Sequence, residues 1–521
     1  MPVHDRKWWT LAVVCTGIFM LLLDITIVNI ALPDLARQLH ASFSDLQWVI
    51  DAYALALAAL LLIAGSLGDL AGARKVFLAG LAVFCVSSLV CGLATTPWFL
   101  IAFRAVQGIG GAAMFATSLA LLAHEFRGRD RGIALGAWGA TAGGAVAVGP
   151  LVGGALTSGI SWRWIFLINV PIGVVAFALT LARVREAPRR PQARPDWYGF
   201  VTLAAAMFAG IYALIRGNLD GWGSPQILAA FAGCAIMLAA FLLIEHRQRR
   251  RQPMLDLALF RNPALAGASL GALVISATLF SVLLYLTLYL QDILGYSAFG
   301  TGLRFLPLTL PIVLAAPVSG RASARVPQRV LIGGGLGLVA VGLGLMTAVS
   351  ATSGWTVLLA GMIVSGTGSG LTNPALASAA VGTVSADEAG VGSGINNTFR
   401  QVGIAVGIAG LGAIFTSRVQ SAFMADLAAR APRLAPHAAQ LASRLTSGGG
   451  AGAVHAKGPA GHAIMLAAHA AFVAGLDRIL WVSAITAAAG AVVSAALLRT
   501  RYVSSEPSAS PDREKALRRA A

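Results

Sequence analysis

Long apolar runs recur along this chain, and they constrain its fold more than any other feature. A helix that crosses a bilayer needs about 20 predominantly apolar residues. Fourteen runs meet that need: six near 8–32, 47–67, 76–94, 98–122, 132–157 and 164–184, two at 198–216 and 224–244, and six near 263–290, 301–322, 329–350, 354–379, 395–417 and 473–498. Hydrocarbon offers no partner to an exposed peptide group, so each run must close its own hydrogen bonds as an α-helix. An all-α membrane protein is expected. Only 11% of the 521 residues are charged, against about a quarter in an ordinary soluble protein, too few to clothe a water-soluble surface.

The formal net charge of +17 would suggest nucleic acid in a soluble protein. Here the basic residues fall in short loops between apolar runs and no nucleic-acid motif accompanies them, so the partner is the lipid bilayer. Their distribution orients the chain. With the N-terminus inside, the inner segments hold Arg6 and Lys7, Arg74 and Lys75, Arg127 to Arg131, five arginines between 183 and 194, five between 247 and 261, and three between 321 and 329. The outer loops hold only Arg37, Arg163 and Arg216, with Arg304 just inside a span. An even span count returns the basic tail to the inner side. A cell (inner) membrane protein with both termini cytoplasmic is expected. The first run is read as the first helix and not as a cleaved signal, because it is long enough to span and lacks a small-residue cleavage site.

Two stretches fall outside the membrane. Residues 418–471 form the one long outer segment, with room for a short amphipathic helix near 419–445; a lid and a plain linker are both open. The tail 502–521 is polar and expected to be disordered. Cys15, Cys85, Cys91 and Cys234 lie in apolar runs without metal or disulfide spacing, and read as inert thiols. No metal site is expected.

Burying an acid at mid-bilayer costs about 2.5–3.5 kcal/mol. Two acids are clearly placed in spans, Asp24 in the first and Asp51 in the second, while Asp477 lies near the outer end of the last. Asp24 shares a helix face with Gly17, Met20, Val28 and Ala31, so it faces a helix junction or a polar cavity. It is a candidate to take up and release a proton; the other reading is a structural acid paired with Asn or Arg. Asp51 is placed about one turn below the outer surface, with a bland role and a vestibule role both open. Arg104 in the fourth span must find acceptors, and Asp24 is one candidate. In the fifth span Pro150 removes a backbone hydrogen bond and crowds Val146, which bends the helix. Ala145, Gly149 and Gly153 form a stripe suited to close helix contact.

Five segments, in order, carry a family resemblance: LDITIVNIALP (23–33), GSLGDLAGARK (65–75), RAVQGIGGA (104–112), GPLVGG (149–154) and WRWIFLINVPIG (162–173). With them the chain resembles the fourteen-span drug/proton antiporters of the major facilitator superfamily, the EmrB/QacA-like branch. The resemblance runs from about residue 8 to 498. It implies two six-helix halves, 8–184 and 263–498, with two inserted helices, 198–244, between them. GSLGDLAGAR (65–74) aligns with GRASARVPQR (320–329), where Ala324 replaces Asp69, a faint trace of repetition between halves. The resemblance implies proton coupling by Asp24 and Arg104, a latch between the halves at Asp69, Gly72 and Arg74, and an antiporter motif at Gly149, Pro150, Gly153 and Gly154. Leu70 and Ala73 depart from the usual basic residues of the latch, and Ala145 replaces a common glycine.

The implied activity is alternating-access export of small hydrophobic or cationic compounds (drugs, antibiotics, toxic metabolites) in exchange for protons, with no cofactor beyond the proton motive force. Asp51, Trp48, Tyr53, Trp138, Tyr285 and Tyr289 are candidates for the substrate cavity. A monomer is expected, with a periplasmic adaptor only in a double-membrane host. Export or uptake of an endogenous metabolite on the same fold stays open. An enzyme is disfavoured by short loops without acid/base clusters, and ATP drive by the lack of GxxxxGK[ST].

Overall fold

The computed structural model describes residues 3–126, 128–186, 196–248, 257–323, 325–350, 353–383, 389–447 and 458–498. The tail 502–521, Ala324 of the repeat, Arg127 and the arginines of the 187–195 and 249–256 linkers lie outside the described residues. The first helices are α1 (Val3–Leu39), α2 (Phe43–Ala71), α3 (Ala73–Gly92), α4 (Pro97–Glu125) and α5 (Gly128–Gly159). They are followed by α6 (Trp164–Leu167), α7 (Asn169–Arg183), α8 (Trp197–Asp220) and α9 (Pro225–Arg247). Next come α10 (Pro263–Ile275), α11 (Ser281–Leu288), α12 (Ala298–Arg304), α13 (Leu306–Ala322) and α14 (Gln328–Leu345). The last are α15 (Leu359–Gly382), α16 (Ala389–Arg430), α17 (Ala438–Ser447) and α18 (Gly458–Leu497).

Among the described residues, twelve helical stretches are each long and apolar enough to cross a membrane, and two bent pairs raise the count to as many as fourteen. One pair is Gly136–Val146 with Val148–Gly159, bent by 43°. The bend falls where Pro150 cannot supply a hydrogen bond to the preceding turn. The other is α12 with α13, bent by 42° around Phe305. Between α10 and α11, and again after α11, the helix widens into π-helical turns at Ser276–Phe280 and Tyr289–Ile293.

Several helices outrun their apolar runs. α2 begins at Phe43 because Ser42 and Asp45 form a reciprocal capping box. Asp51 is therefore about 12 Å into the helix at 1.5 Å per residue. The segment 418–471 is not a plain linker. α16 continues through it to Arg430, Pro432–His437 makes a 3-10 turn, α17 follows, and α18 starts at Gly458. The amphipathic helix expected over 419–445 is thus divided where Pro432 and Pro436, four residues apart, each remove a backbone hydrogen bond. Residues 448–457 lie outside the described residues.

α1 to α7 pack on one another, as do α10 to α18, and the α8–α9 pair leans on α2 and α16. The charge bias assigns an outer end to the bundle, and the contacts that tie the two groups together cluster there. Gln291 Nε2 donates to Ile30 O (2.8 Å), Phe299 N donates to Ser158 Oγ (2.9 Å), and Arg37 stands 3.8 Å from Asp292. The second π-helical turn aims Gln291 and Asp292 at α1. The inner half of α5 is open, with Gly136, Gly139, Gly143 and Gly144 facing nothing within 4 Å. The bundle is closed at the outer end.

Candidate transport site

Asp24 lies where α1, α3, α4 and α7 meet and is 1% exposed. Its Oδ2 accepts from Arg104 Nη1, an ion pair with both side chains sealed from solvent. Its Oδ1 accepts from Gln107 Nε2 (3.0 Å) and Asn169 Nδ2 (3.4 Å). Arg104 also donates from Nε to Val49 O (3.1 Å) and from Nη1 to Gln107 Oε1 (2.9 Å), and its guanidinium lies 4.2 Å from the centre of the Tyr53 ring. Ser88 Oγ accepts from Gln107 and Asn169 and donates to Phe166 O (2.9 Å). A buried ion pair repays its desolvation only when its hydrogen bonds are complete, and this one is surrounded by donors and acceptors from α1 to α4, α6 and α7. Asp24 is thus paired with both Arg104 and Asn169.

Asp51 is the opposite case. It is 0% exposed, and neither carboxylate oxygen has a hydrogen-bond partner among the described residues. One turn earlier on α2, Gln47 Nε2 donates to Ile408 O of α16 (2.9 Å), and Tyr285 Oη of α11 donates to the same carbonyl (3.0 Å). Tyr285 is electrostatically coupled to Asp51. The acid thus sits where α2 of the first group meets α11 and α16 of the second. Without a partner, a charged carboxylate is far more costly here than a neutral one. Asp51 can change its proton occupancy without breaking an ion pair.

The antiporter-motif glycines are packing surfaces. A Cβ on Gly149 would run into Thr26, and one on Gly153 would meet Ile27 Cγ1 and O at 2.9 Å, so both hold α5 against α1 within one turn of Asp24. Gly154 faces the other group, where a Cβ would come within 2.5 Å of Ala298 O. The Pro150 carbonyl is in turn pressed against Gly302. Gly154→Val should therefore wedge α5 from α12 and raise thiol labelling of a Ser158→Cys reporter at the outer end. Overpacking of this size costs about 1–3 kcal/mol, a shift of about 5- to 150-fold in the open-to-closed ratio. Unchanged labelling would show that this contact does not govern closure.

The latch residues differ from expectation. Asp69 is exposed, caps no helix and has no ion pair among the described residues. Arg74 instead caps the C-terminus of α7, donating to Thr180 O (3.3 Å) and Leu181 O (2.7 Å), while its backbone N donates to Glu186 Oε1 (2.8 Å). All of these partners belong to the first group, so in this conformation the motif ties α2 and α3 to α7 and bridges no halves. Gly72 has φ +106° and a Cβ there would strike the Glu186 carboxylate at 2.5 Å, which explains the glycine twice over.

The aromatic candidates do not share a cavity. Tyr53 belongs to the Asp24–Arg104 site, and Tyr285 to the Asp51 site. Trp48 packs at a tilt against Phe208 of α8 (5.5 Å), Trp138 packs edge-on against Phe115 (5.5 Å), and Tyr289 Oη donates to Ser353 O (3.2 Å) near the outer end. A tyrosine or tryptophan far apart in sequence can belong to any helix junction, so residue type alone could not group them.

Sequence reasoning missed Gln107, Asn169, Arg400 and Asp292. Gln107 follows Arg104 by three residues on the same face. Asn169 lies inside the quoted WRWIFLINVPIG segment. Arg400 sits on α16 with Asn373 Oδ1 as its acceptor at 2.6 Å and no carboxylate among the described residues; the rule that found Arg104 applies to it equally. Asp292 falls two residues beyond the expected end of its span, but the π-helical turn extends that span to Ile293.

A many-helix bundle with an ion pair sealed inside one group, an unpaired acid between groups and glycine-lined sliding contacts is a membrane transport protein. The chain belongs to the major facilitator superfamily, whose family model matches residues 14–408. It is a multi-pass membrane transporter and not an enzyme. It is 34% identical over 503 residues to the tetracenomycin C resistance and export protein of Streptomyces glaucescens, covering 94% of this chain and 92% of that protein. It is 35% identical to the multidrug resistance protein Stp of Mycobacterium tuberculosis (78% and 76% covered) and 37% identical to the cephamycin export protein CmcT of Amycolatopsis lactamdurans (77% and 83%). Its fold is similar to that of a bacterial homolog of the human lysosomal transporter Spinster, crystallised inward-facing and occupied. The TM-score is 0.63 at 17% identity, covering 95% and 97% of the two chains.

Proposed function

We propose that this chain exports small organic compounds of the antibiotic or drug type from the cytoplasm, in exchange for protons, by alternating access. The observation that carries the coupling is Asp51, a sealed carboxyl with no partner, lodged between the two groups of helices that must separate. Asp24 and Arg104 hold the first group together around it, so their part in coupling is to keep α1 and α4 rigid. The similarity to proteins named for export of tetracenomycin C and cephamycin supports the direction and the type of substrate. The arginine bias supports a cell membrane with cytoplasmic termini, and the energy source is the proton motive force. Arg400, a cation in the second group without a carboxylate partner among the described residues, favours neutral or acidic substrates over dications.

Everted membrane vesicles given an inward-acid gradient provide the test. Uptake of tetracenomycin- or cephamycin-type compounds should follow the imposed gradient and cease with a protonophore. Uptake that survives the protonophore would refute proton coupling, and uptake that appears only in right-side-out vesicles would make the chain a symporter.

A further inference from the structure

A groove of about 800 Å³ opens between the outer part of α8, α16 and α18. Its polar wall is made by Arg418 of α16 and by Asp477 and Arg478 of α18. Both guanidiniums are exposed and neither forms an ion pair among the described residues, so the groove holds two cations and one acid. Nearby, Arg216 and Asp220 of α8 neutralise each other through two hydrogen bonds of 2.9 Å and leave that balance unchanged.

The level of the groove follows from its neighbours. Gly475 packs against Val419 and Phe415, and Asn218 donates to Ala413 O (2.5 Å), which places the arginines beside the end of α8. Trp222 in the turn after α8 and Trp481 of α18 are 41% and 50% exposed. Exposed tryptophans, one beside the end of α8 and one on the flank of α18, mark the boundary between hydrocarbon and headgroups. Below Arg478, Trp481, Ile485 (64% exposed) and Val492 (71%) continue the same face of α18 at spacings of three, seven and fourteen residues. That stripe runs about 21 Å at 1.5 Å per residue and faces no protein. It is a surface for an acyl chain, with a guanidinium at its head.

We propose that this groove binds one anionic phospholipid of the outer leaflet, its phosphate held by Arg418 and Arg478 and one chain lying along the α18 stripe. The charge fits: a groove of net +1 receives a phosphodiester of −1. A zwitterionic lipid brings its own cation and gains less. The lipid would fill the wedge between α8 and the α16–α18 pair and fix the α8–α9 pair to the second group of helices.

Native mass spectrometry of the full chain, titrated with phosphatidylglycerol or phosphatidylcholine of identical acyl chains, tests this. One phosphatidylglycerol should be retained about 25-fold more strongly in wild type than in an Arg418→Gln/Arg478→Gln double variant, from about a tenfold preference per 1.4 kcal/mol and about 1 kcal/mol per arginine. The Arg418→Lys/Arg478→Lys variant should keep most of the preference, and equal melting temperatures would show that the Gln variant is folded. Equal retention of the two lipids, or an unchanged preference in the Gln variant, would overturn the proposal. Displacement of the lipid by millimolar inorganic phosphate would also overturn it, in favour of a soluble anion site.

Discussion

Asp24→Ala is expected to cost this protein about 3–5 kcal/mol of stability. The loss is not the value of one contact. Removing the carboxylate leaves the Arg104 guanidinium sealed in the bundle with only Val49 O, Gln107 Oε1 and the Tyr53 ring to face. Arginine cannot escape by losing its proton. The destabilisation should appear as a lower unfolding temperature of the purified protein and a lower yield. The double variant Asp24→Asn/Arg104→Gln removes both charges together and should recover most of the loss, since two neutral amides can still bond across the same gap. A single variant that melts like wild type would show that the pair is not the keystone of the first helical group.

Asp51→Asn should have the reverse signature. No partner is lost, so stability should stay within about 1 kcal/mol of wild type, the range of a substitution that breaks no network. Transport should change instead. One proton moving down 100 mV supplies about 2.3 kcal/mol, enough for a concentration ratio of about 40. An amide carries no exchangeable charge, so the ratio sustained by the variant should fall towards one while downhill movement of substrate continues. Everted vesicles under an imposed gradient report the first quantity, and counterflow without a gradient reports the second. Concentrative export by Asp51→Asn equal to wild type would remove this residue from the coupling step.

The contrast between these two acids shows what was legible in the sequence. Both could be found because a charge inside a 20-residue apolar run is expensive wherever it points. Arg104 could be named as a partner for Asp24 on the same ground. What the sequence could not supply was the account of hydrogen bonds, because that depends on which helices adjoin. Gln107, Ser88 and Asn169 complete Asp24, while nothing equivalent reaches Asp51. The apolar spans and the bend in α5 followed from apolar length and from Pro150, which act locally. The ends were harder, since the capping box at Ser42, the π-helical turn at Tyr289–Ile293 and the polar continuation of α16 are invisible to a search for apolar runs. The surroundings of Arg74 were hidden for a related reason, since the α7 carbonyls and Glu186 fold over it from about a hundred residues away.

At 42 residues, α16 is about 63 Å long, roughly twice the hydrocarbon thickness. α18 starts well before the bilayer, and Phe423, Leu427, Ala438, Ile464 and Ala468 are buried among these extensions and α17. A protein otherwise hidden in detergent or lipid thus carries a stiff projecting mast whose buried side chains are continuous with the main core. The mast is continuous with one group of helices and not with the other. An antibody fragment seated on it, or a fluorophore pair joining it to the α1–α2 turn, would move with the rocking of the second group and turn each transport cycle into a change of angle measurable from outside the membrane.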